Sequence, residues 1–405
     1  MDRRLLLKLM GAAAATSMIA PIANAAGMRV VVAGAGIVGA SIAYHLAKAG
    51  ASVTVIDSEG PASHASRGTF AWINATWAKQ PRAYHALNQE GVSNWQILSQ
   101  ELNIPLRQTG SLEWFDGNTR QQKLTAQIDE QIAWGEPARM IDAAEVAKLE
   151  PGLVFDSTKA AYSGNDAAVD PVAATHAMLN AAKAMGANLI FPSKLTAASY
   201  LAGELKEVTT SQGAIRTDKL VLATGAAPYM MGQFTGTDLP QRSTPGVIAI
   251  TKPMARIINR IIAAPGVHMH QREDGRVVLG EQDGAPQNQA HAMRLASRPN
   301  AFPTRAFGEE HAARMLAVAE QFVPAIATAE IENVYIGWRP LPIDGHPVIG
   351  VAPKQPDVYT AVMHSGVSLA PIVGQLVAHE LLTGETIERL GPYRPDRDFT
   401  EVKRY

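Results

Sequence analysis

Three glycines carry the clearest chemistry in this 405-residue chain: Gly34, Gly36 and Gly39, in the run Gly34-Ala35-Gly36-Ile37-Val38-Gly39. At this spacing the first permits a tight turn, the second lets the backbone approach a pyrophosphate, and the third lets a helix pack closely on a strand. A helix starting there adds free N–H groups and a partial positive charge, both suited to phosphate oxygens. Asp57 follows 23 residues after Gly34, where an acid accepts hydrogen bonds from a ribose hydroxyl. These residues specify dinucleotide binding and leave NAD and FAD both open.

Such a motif works only between a strand and a helix. Arg29 to Ala33 is a short β-branched run, and Ile37 to Lys48 repeats apolar residues at helical spacing, with Gly50 as its stop. Val53 to Ile56 reads as the second strand, and Tyr84 to Leu102 as a helix. Residues 103–165 mix short strands and helices, with 136–153 read as helix and turn. Pro171 opens and Gly186 closes another helix. A buried strand over 218–228 runs into a turn, 241–290 reads as sheet, and 307–322 as helix. Residues 331–350 read as strand plus turn, and 364–385 as a glycine-started apolar helix. No internal repeat or low-complexity linker interrupts this order. A βαβ start with a sheet-rich middle implies an α/β fold with a second antiparallel layer.

Composition narrows the partners. Hydrophobic residues make up 47% and charged residues 18%, as in a globular protein. The 36 basic and 37 acidic residues form no basic block, which argues against a nucleic-acid partner. No cysteine is present, so a disulfide, a thiolate metal site and a cysteine nucleophile are all excluded.

Residues 1–25 read as an export signal peptide. Arg3, Arg4 and Lys8 precede an Ala-rich stretch from Leu9 to Ile22, and Ala23-Asn24-Ala25 is a small-x-small cleavage site. The arginine pair resembles the twin-arginine signal, which carries folded proteins across the bacterial inner membrane, although Asp2 replaces the usual Ser or Thr. The expected location is the periplasm. A protein that closes around its cofactor before export needs such a route. No later segment reads as long and apolar enough to span a bilayer, so membrane association would come only through an uncleaved signal.

Further stretches choose the nucleotide. Ala62-Ser63-His64-Ala65-Ser66-Arg67-Gly68-Thr69 follows the acid of the second strand, and Val169-Asp170-Pro171 opens the mid-chain helix. Leu220 to Ala226 reads LVLATGA, residues 337–350 read GWRPLPIDGHPVIG, and residues 363–374 read MHSGVSLAPIVG. In order and spacing these stretches resemble the D-amino-acid oxidase superfamily of flavoenzymes, from about residue 28 to the C-terminus. The resemblance implies one FAD per chain, in a Rossmann-like domain with an interleaved antiparallel-sheet substrate domain. It implies a discontinuous FAD-binding domain over 28–100, 160–240 and 330–405, and a substrate domain over 101–159 and 241–329.

Site residues follow from the same resemblance. FAD would be held by Gly34, Gly36, Ile37, Val38, Gly39, Asp57 and Ser58, and by the loop residues Ser66, Arg67, Gly68 and Thr69. Ala223, Thr224 and Gly225 would lie under it. Gly366, Val367, Ser368 and Leu369 would point helix N–H groups at the edge where negative charge grows on reduction. The competing reading makes Ser365 or Ser368 an ordinary helix cap. Arg339 would grip a substrate carboxylate with its planar guanidinium; the competing reading pairs it with Asp344. His268 falls near a pocket tyrosine of glycine oxidase-like relatives, and shares a strand face with His270. No third ligand for a metal accompanies that pair, so no metal is expected. Val278 stands where sarcosine oxidases carry a lysine that helps oxygen react, which favours a dehydrogenase over an oxidase. His64 offers a possible covalent link to FAD, non-covalent binding being the first expectation. Trp72, Trp77, Trp114 and Trp338 would line a pocket or fill a core.

The activity so implied is oxidation of the C–N bond of a D-amino acid, glycine, sarcosine or proline-like amine, by hydride transfer to flavin N5. The resulting imine hydrolyses. The electron acceptor is oxygen, a quinone or a carrier protein. The alternatives are a flavin oxidoreductase for a non-amino-acid substrate, a non-catalytic flavoprotein and, more distantly, an NAD-dependent dehydrogenase.

Overall fold

A computed structural model describes residues 27–74, 79–281 and 300–402. The expected signal segment and Trp77 lie outside the described residues.

Two large sheets organise the chain. The first has six strands, in the order β19 (Val348–Ala352), β20 (Gln355–Val362), β13 (Lys219–Leu222), β1 (Arg29–Ala33), β2 (Ser52–Ile56) and β9 (Asn188–Ile190). From β20 to β9 every pairing is parallel; only β19 runs antiparallel. Both faces are covered, which is why β1, β2 and β13 read as continuous Val, Ile and Leu. The helices Ile37–Lys48, Arg82–Leu102, Pro171–Ala184 and Gly366–Thr383 pack together on one side of this sheet. The last of these passes the length and composition test for a membrane span, against the sequence expectation, yet it lies mostly buried among the others. Its Gly374 lets the first helix approach so closely that a Cβ would meet Ser41 Oγ at 2.2 Å.

The second sheet has eight strands: β18 (Ile331–Pro342), β14 (Gln241–Thr251), β17 (Val277–Glu281), β16 (Val267–Gln271), β15 (Ile261–Ala264), β5 (Ser111–Glu113), β7 (Lys159–Ser163) and β6 (Arg139–Asp142). It is mixed rather than purely antiparallel, because β15 and β5 run parallel. Its outer face carries Leu112, Ala249, Ile262, Met269 and Leu279, which pack beneath the helix Arg305–Phe322. Period-2 alternation sends the neighbouring residues to the inner face, toward the first sheet's loops.

Three details depart from the sequence reading. The stretch over 136–153 begins as β6 before its helix, Ala143–Leu149, which Asp142 caps by accepting from Glu145 N. The segment expected with the cofactor from residue 330 opens with β18, which ladders along β14 from Ile331 to Pro342. Two small three-stranded sheets complete the fold: β10 (Leu195–Leu201), β11 (Glu204–Thr210) and β12 (Gly213–Arg216), packed on the first sheet opposite its helices, and β3 (Trp72–Ile73), β8 (Ala167–Val169) and β4 (Leu106–Arg107).

Candidate cofactor and substrate site

The glycine run sits where β1 meets its helix. Gly34 has φ +114, and a Cβ on it would fall 2.3 Å from the Ala223 carbonyl oxygen. A Cβ on Gly39 would fall 1.9 Å from the carbonyl oxygen of Gly34, so the helix rests directly on the turn. Around Gly36 only Ser66 Oγ comes near, at 3.1 Å, which leaves its backbone open to a ligand. Ile37 N donates to that same Ser66 oxygen at 2.9 Å. The helix N-terminus therefore already presents an N–H to an oxygen, in the manner a phosphate requires.

Other cofactor residues gather at this edge. Ala223 N bonds Ala33 O at 2.9 Å, which brings the end of β13 beside the glycine turn. Thr224 Oγ1 is buried there without a hydrogen-bond partner. An orphaned hydroxyl beside a glycine cradle fits a polar group of FAD. Asp57 ends β2, but its carboxylate is largely engaged: Oδ2 accepts from Ala35 N, and Oδ1 from Glu59 N and Gly60 N, at 2.8–3.0 Å. Ser58 is exposed beside it.

Neither serine of the last helix caps it. Ser365 Oγ lies 3.1 Å from Tyr84 Oη, and Ser368 Oγ accepts from Asn74 N at 3.0 Å. The competing cap reading is thus set aside, and the first-turn N–H groups are not taken by those side chains. Gly366 touches Val38, a Cβ there lying 3.2 Å from Val38 Cγ2, so this helix start meets the glycine-run helix. Trp95 Nε1 holds the Val367 carbonyl at 2.7 Å. The Leu369 side chain is fully buried in the helix core, so only its backbone could serve a cofactor.

His64 is engaged at both ring nitrogens, by Glu59 Oε1 at 2.8 Å and Asn300 Nδ2 at 2.7 Å.

The loop after β2 crosses the second sheet backbone to backbone. A Cβ on Gly68 would lie 2.5 Å from Gly337 Cα, and one on Gly337 2.1 Å from Gly68 O. Thr69 Oγ1 accepts from Ala71 N at 3.2 Å, within the same loop. On one side of the crossing the Arg67 guanidinium covers the Tyr335 ring at 5.0 Å. On the other, Arg339 lies across Gly246, whose Cβ would meet Nη2 at 2.8 Å. Arg339 Nη1 donates to Pro245 O at 3.3 Å, and among the described residues it has no carboxylate partner. Asp344 pairs with Arg397 instead. Arg339 thus stands partly exposed on the inner face as an unneutralised cation.

The rest of the inner face is aromatic and apolar. One cross-strand row runs Tyr335, Ile248, Gly280, His268, Ala263, Glu113. Ring centroids of Phe70 and Trp72 lie 5.6 and 5.7 Å from that of His268. His270, on the same face, is fully enclosed and donates Nε2–H to Phe70 O at 2.9 Å. Burial, and then the charge of Arg272, push its pKa down to about 3, so the ring is neutral. Val278 is buried with Ile248 and Ile250.

The tryptophans separate. Trp72 joins the inner face, Trp114 packs against Phe155 and Phe322 in the outer core, and Trp338 is buried on the strand face opposite Arg339.

Sequence reasoning missed two buried acids. Glu113 lies in the His268 row, and Asp166 accepts from Trp72 Nε1 and Ser111 Oγ, both at 2.8 Å. Asp166 stands four residues before Asp170, but nothing local marks it as a buried acceptor.

Comparison with known proteins agrees with this architecture. The family profile described as FAD dependent oxidoreductase matches residues 29–380. A glycine oxidase of Bacillus licheniformis is 25% identical over 362 residues, covering 87% of this chain and 92% of that protein. The L-proline dehydrogenase of P. horikoshii superposes with a TM-score of 0.77 at 25% identity, over 91% of this chain and 97% of that one. The glycine oxidase of Geobacillus kaustophilus gives 0.81 at 21% identity, over 92% and 100%, a likeness of fold.

Proposed function

The chain belongs to the FAD dependent oxidoreductase family, and from that premise we propose that it oxidises the C–N bond of a small amino acid or related amine. The observation that carries this reading is Arg339. It is a cation without a carboxylate partner among the described residues, on the sheet face that meets the cofactor loop. A planar guanidinium holds a carboxylate in one orientation by two parallel hydrogen bonds. The chain's likeness to a glycine oxidase and an L-proline dehydrogenase supports an amino-acid substrate.

FAD, when bound, supplies the acceptor for a hydride from the carbon next to nitrogen. The chain's own residues bind and orient. Gly34, Gly36 and Gly39 admit the pyrophosphate, Thr224 offers its hydroxyl, and the N–H groups at Gly366 to Ser368 favour negative charge beside them. His268, Phe70 and Trp72 wall the site. The substrate loses two electrons and two protons. Its imine then hydrolyses to a carbonyl compound and an amine, so no protein nucleophile is needed.

Hydrogen-bond partners at both nitrogens of His64 support non-covalent binding of FAD. Val278, buried where sarcosine oxidases carry a lysine that helps oxygen react, favours an acceptor other than oxygen. The arginine pair at Arg3 and Arg4 supports export of the folded holoprotein to the periplasm. Changing both to Lys should strand it in the cytoplasm; normal export would count against that location.

Product analysis tests the activity. With an artificial electron acceptor, the holoenzyme should form carbonyl product and amine in equal amounts from a small amino acid. Acceptor reduction without amine release would overturn C–N oxidation.

A further inference from the structure

The Phe70 ring fills a notch that the second sheet leaves for it. Gly280 stands between Ile248 and His268 in the inner-face row. A Cβ on Gly280 would lie 3.3 Å from Phe70 Cδ2 and 3.4 Å from Ile248 Cδ1. The ring packs on Ile248, Ile250 and Val278, and meets the His270 ring edge-on at 4.8 Å. It keeps part of its surface exposed.

This ring is held unusually firmly. His270 Nε2 binds the Phe70 carbonyl. The next residue, Ala71, is buried with φ +60, a left-handed conformation that a non-glycine residue adopts only at a cost. Trp72, one residue on, is pinned by its indole to Asp166. Strain persists only where surrounding contacts over-determine it, and such strain clusters at functional sites. Phe70 and Arg339 each lie two residues beyond the contact of Gly68 with Gly337, so one crossing places both the ring and the cation.

We propose that Phe70 is the specificity-determining residue of this site: its ring over Gly280 closes the inner face to bulky side chains, selecting substrates as small as glycine, N-methylglycine or alanine. The inference rests on the reading that Arg339 holds the substrate carboxylate on this face. A wall of fixed position excludes by overlap, and volume discrimination of this kind is worth tens- to hundreds-fold.

The test compares kcat/KM of the holoenzyme for glycine and D-alanine with that for D-leucine and D-phenylalanine, in the wild type, Phe70→Leu and Phe70→Ala. Flavin content is measured in each. The large-to-small ratio should rise at least about tenfold in Phe70→Ala, with Phe70→Leu between. A ratio unchanged in variants that retain FAD would overturn the inference while leaving amino-acid oxidation standing. If Phe70→Ala loses FAD, Phe70→Leu alone decides in the same way. Failure of every amino acid to react with the wild type would overturn the underlying reading, and this inference with it.

Discussion

Arg397 donates Nε to Asp344 Oδ2 at 2.7 Å and Nη2 to Oδ1 at 3.1 Å, a two-pronged pair that leaves Arg339 without Asp344. The two side chains are 12% and 10% exposed. Removing one partner of a buried pair costs about 3–5 kcal/mol, because the other charge stays behind. Arg397→Ala should therefore lower Tm markedly while substrate KM stays within twofold. A large rise in KM at unchanged Tm would show that the pair serves the substrate instead.

Arg339 should behave in the opposite way. Arg339→Ala should weaken carboxylate binding by about 2–5 kcal/mol, with little change in Tm. Arg339→Lys should recover only part, since a point charge cannot make the paired hydrogen bonds. The check is kcat/KM for an amino acid against the amine lacking its carboxylate. Only the former should fall.

Gly39→Ala should cost the protein its flavin. The added Cβ would meet the Gly34 carbonyl oxygen at 1.9 Å, a backbone atom that can yield only by moving the turn. Overpacking of this kind costs about 1–3 kcal/mol, and the displacement falls on the phosphate cradle. Flavin absorbance per protein should drop sharply in the purified variant. A full complement of FAD would contradict the assigned cradle.

Acid should destabilise the fold through two histidines. Burial pushes His270 down to about 3 and His45 to about 4, against 6.5 for exposed rings. Below pH 6.5 the unfolded chain binds protons that the native rings refuse, so stability is full above that pH and falls toward pH 4. Tm measured from pH 7.5 to 4.5 should decline, and less steeply in His270→Gln. An identical slope in that variant would show that His270 is not the titrating group.

Much of the nucleotide half was legible because its signals are local. Gly34 and Gly39 mark a turn that glycine alone satisfies, and the β-branched runs of β1 and β2 flank it at fixed spacing. The second sheet was legible only as sheet. Its parallel β15–β5 junction joins residues about 150 positions apart, and no local pattern encodes such a pairing. Sequence separation also hid Asp166, which acquires its meaning from Trp72 and Ser111, 94 and 55 residues away. The Arg397–Asp344 pair was missed because the chain's tail returns to the turn before β19, 53 residues away. The hairpin of β10 and β11 gave no sequence warning, its exposed residues breaking the expected alternation.

The measurement closest to the central claim is the anaerobic absorbance spectrum of the purified protein during stepwise addition of D-amino acids, glycine, sarcosine and proline. Oxidation of a C–N bond by bound FAD requires that one of them bleach the flavin band, with the same band returning when an acceptor is admitted. A flavin band that none of them bleaches would contradict the assignment of an amino-acid substrate to this site.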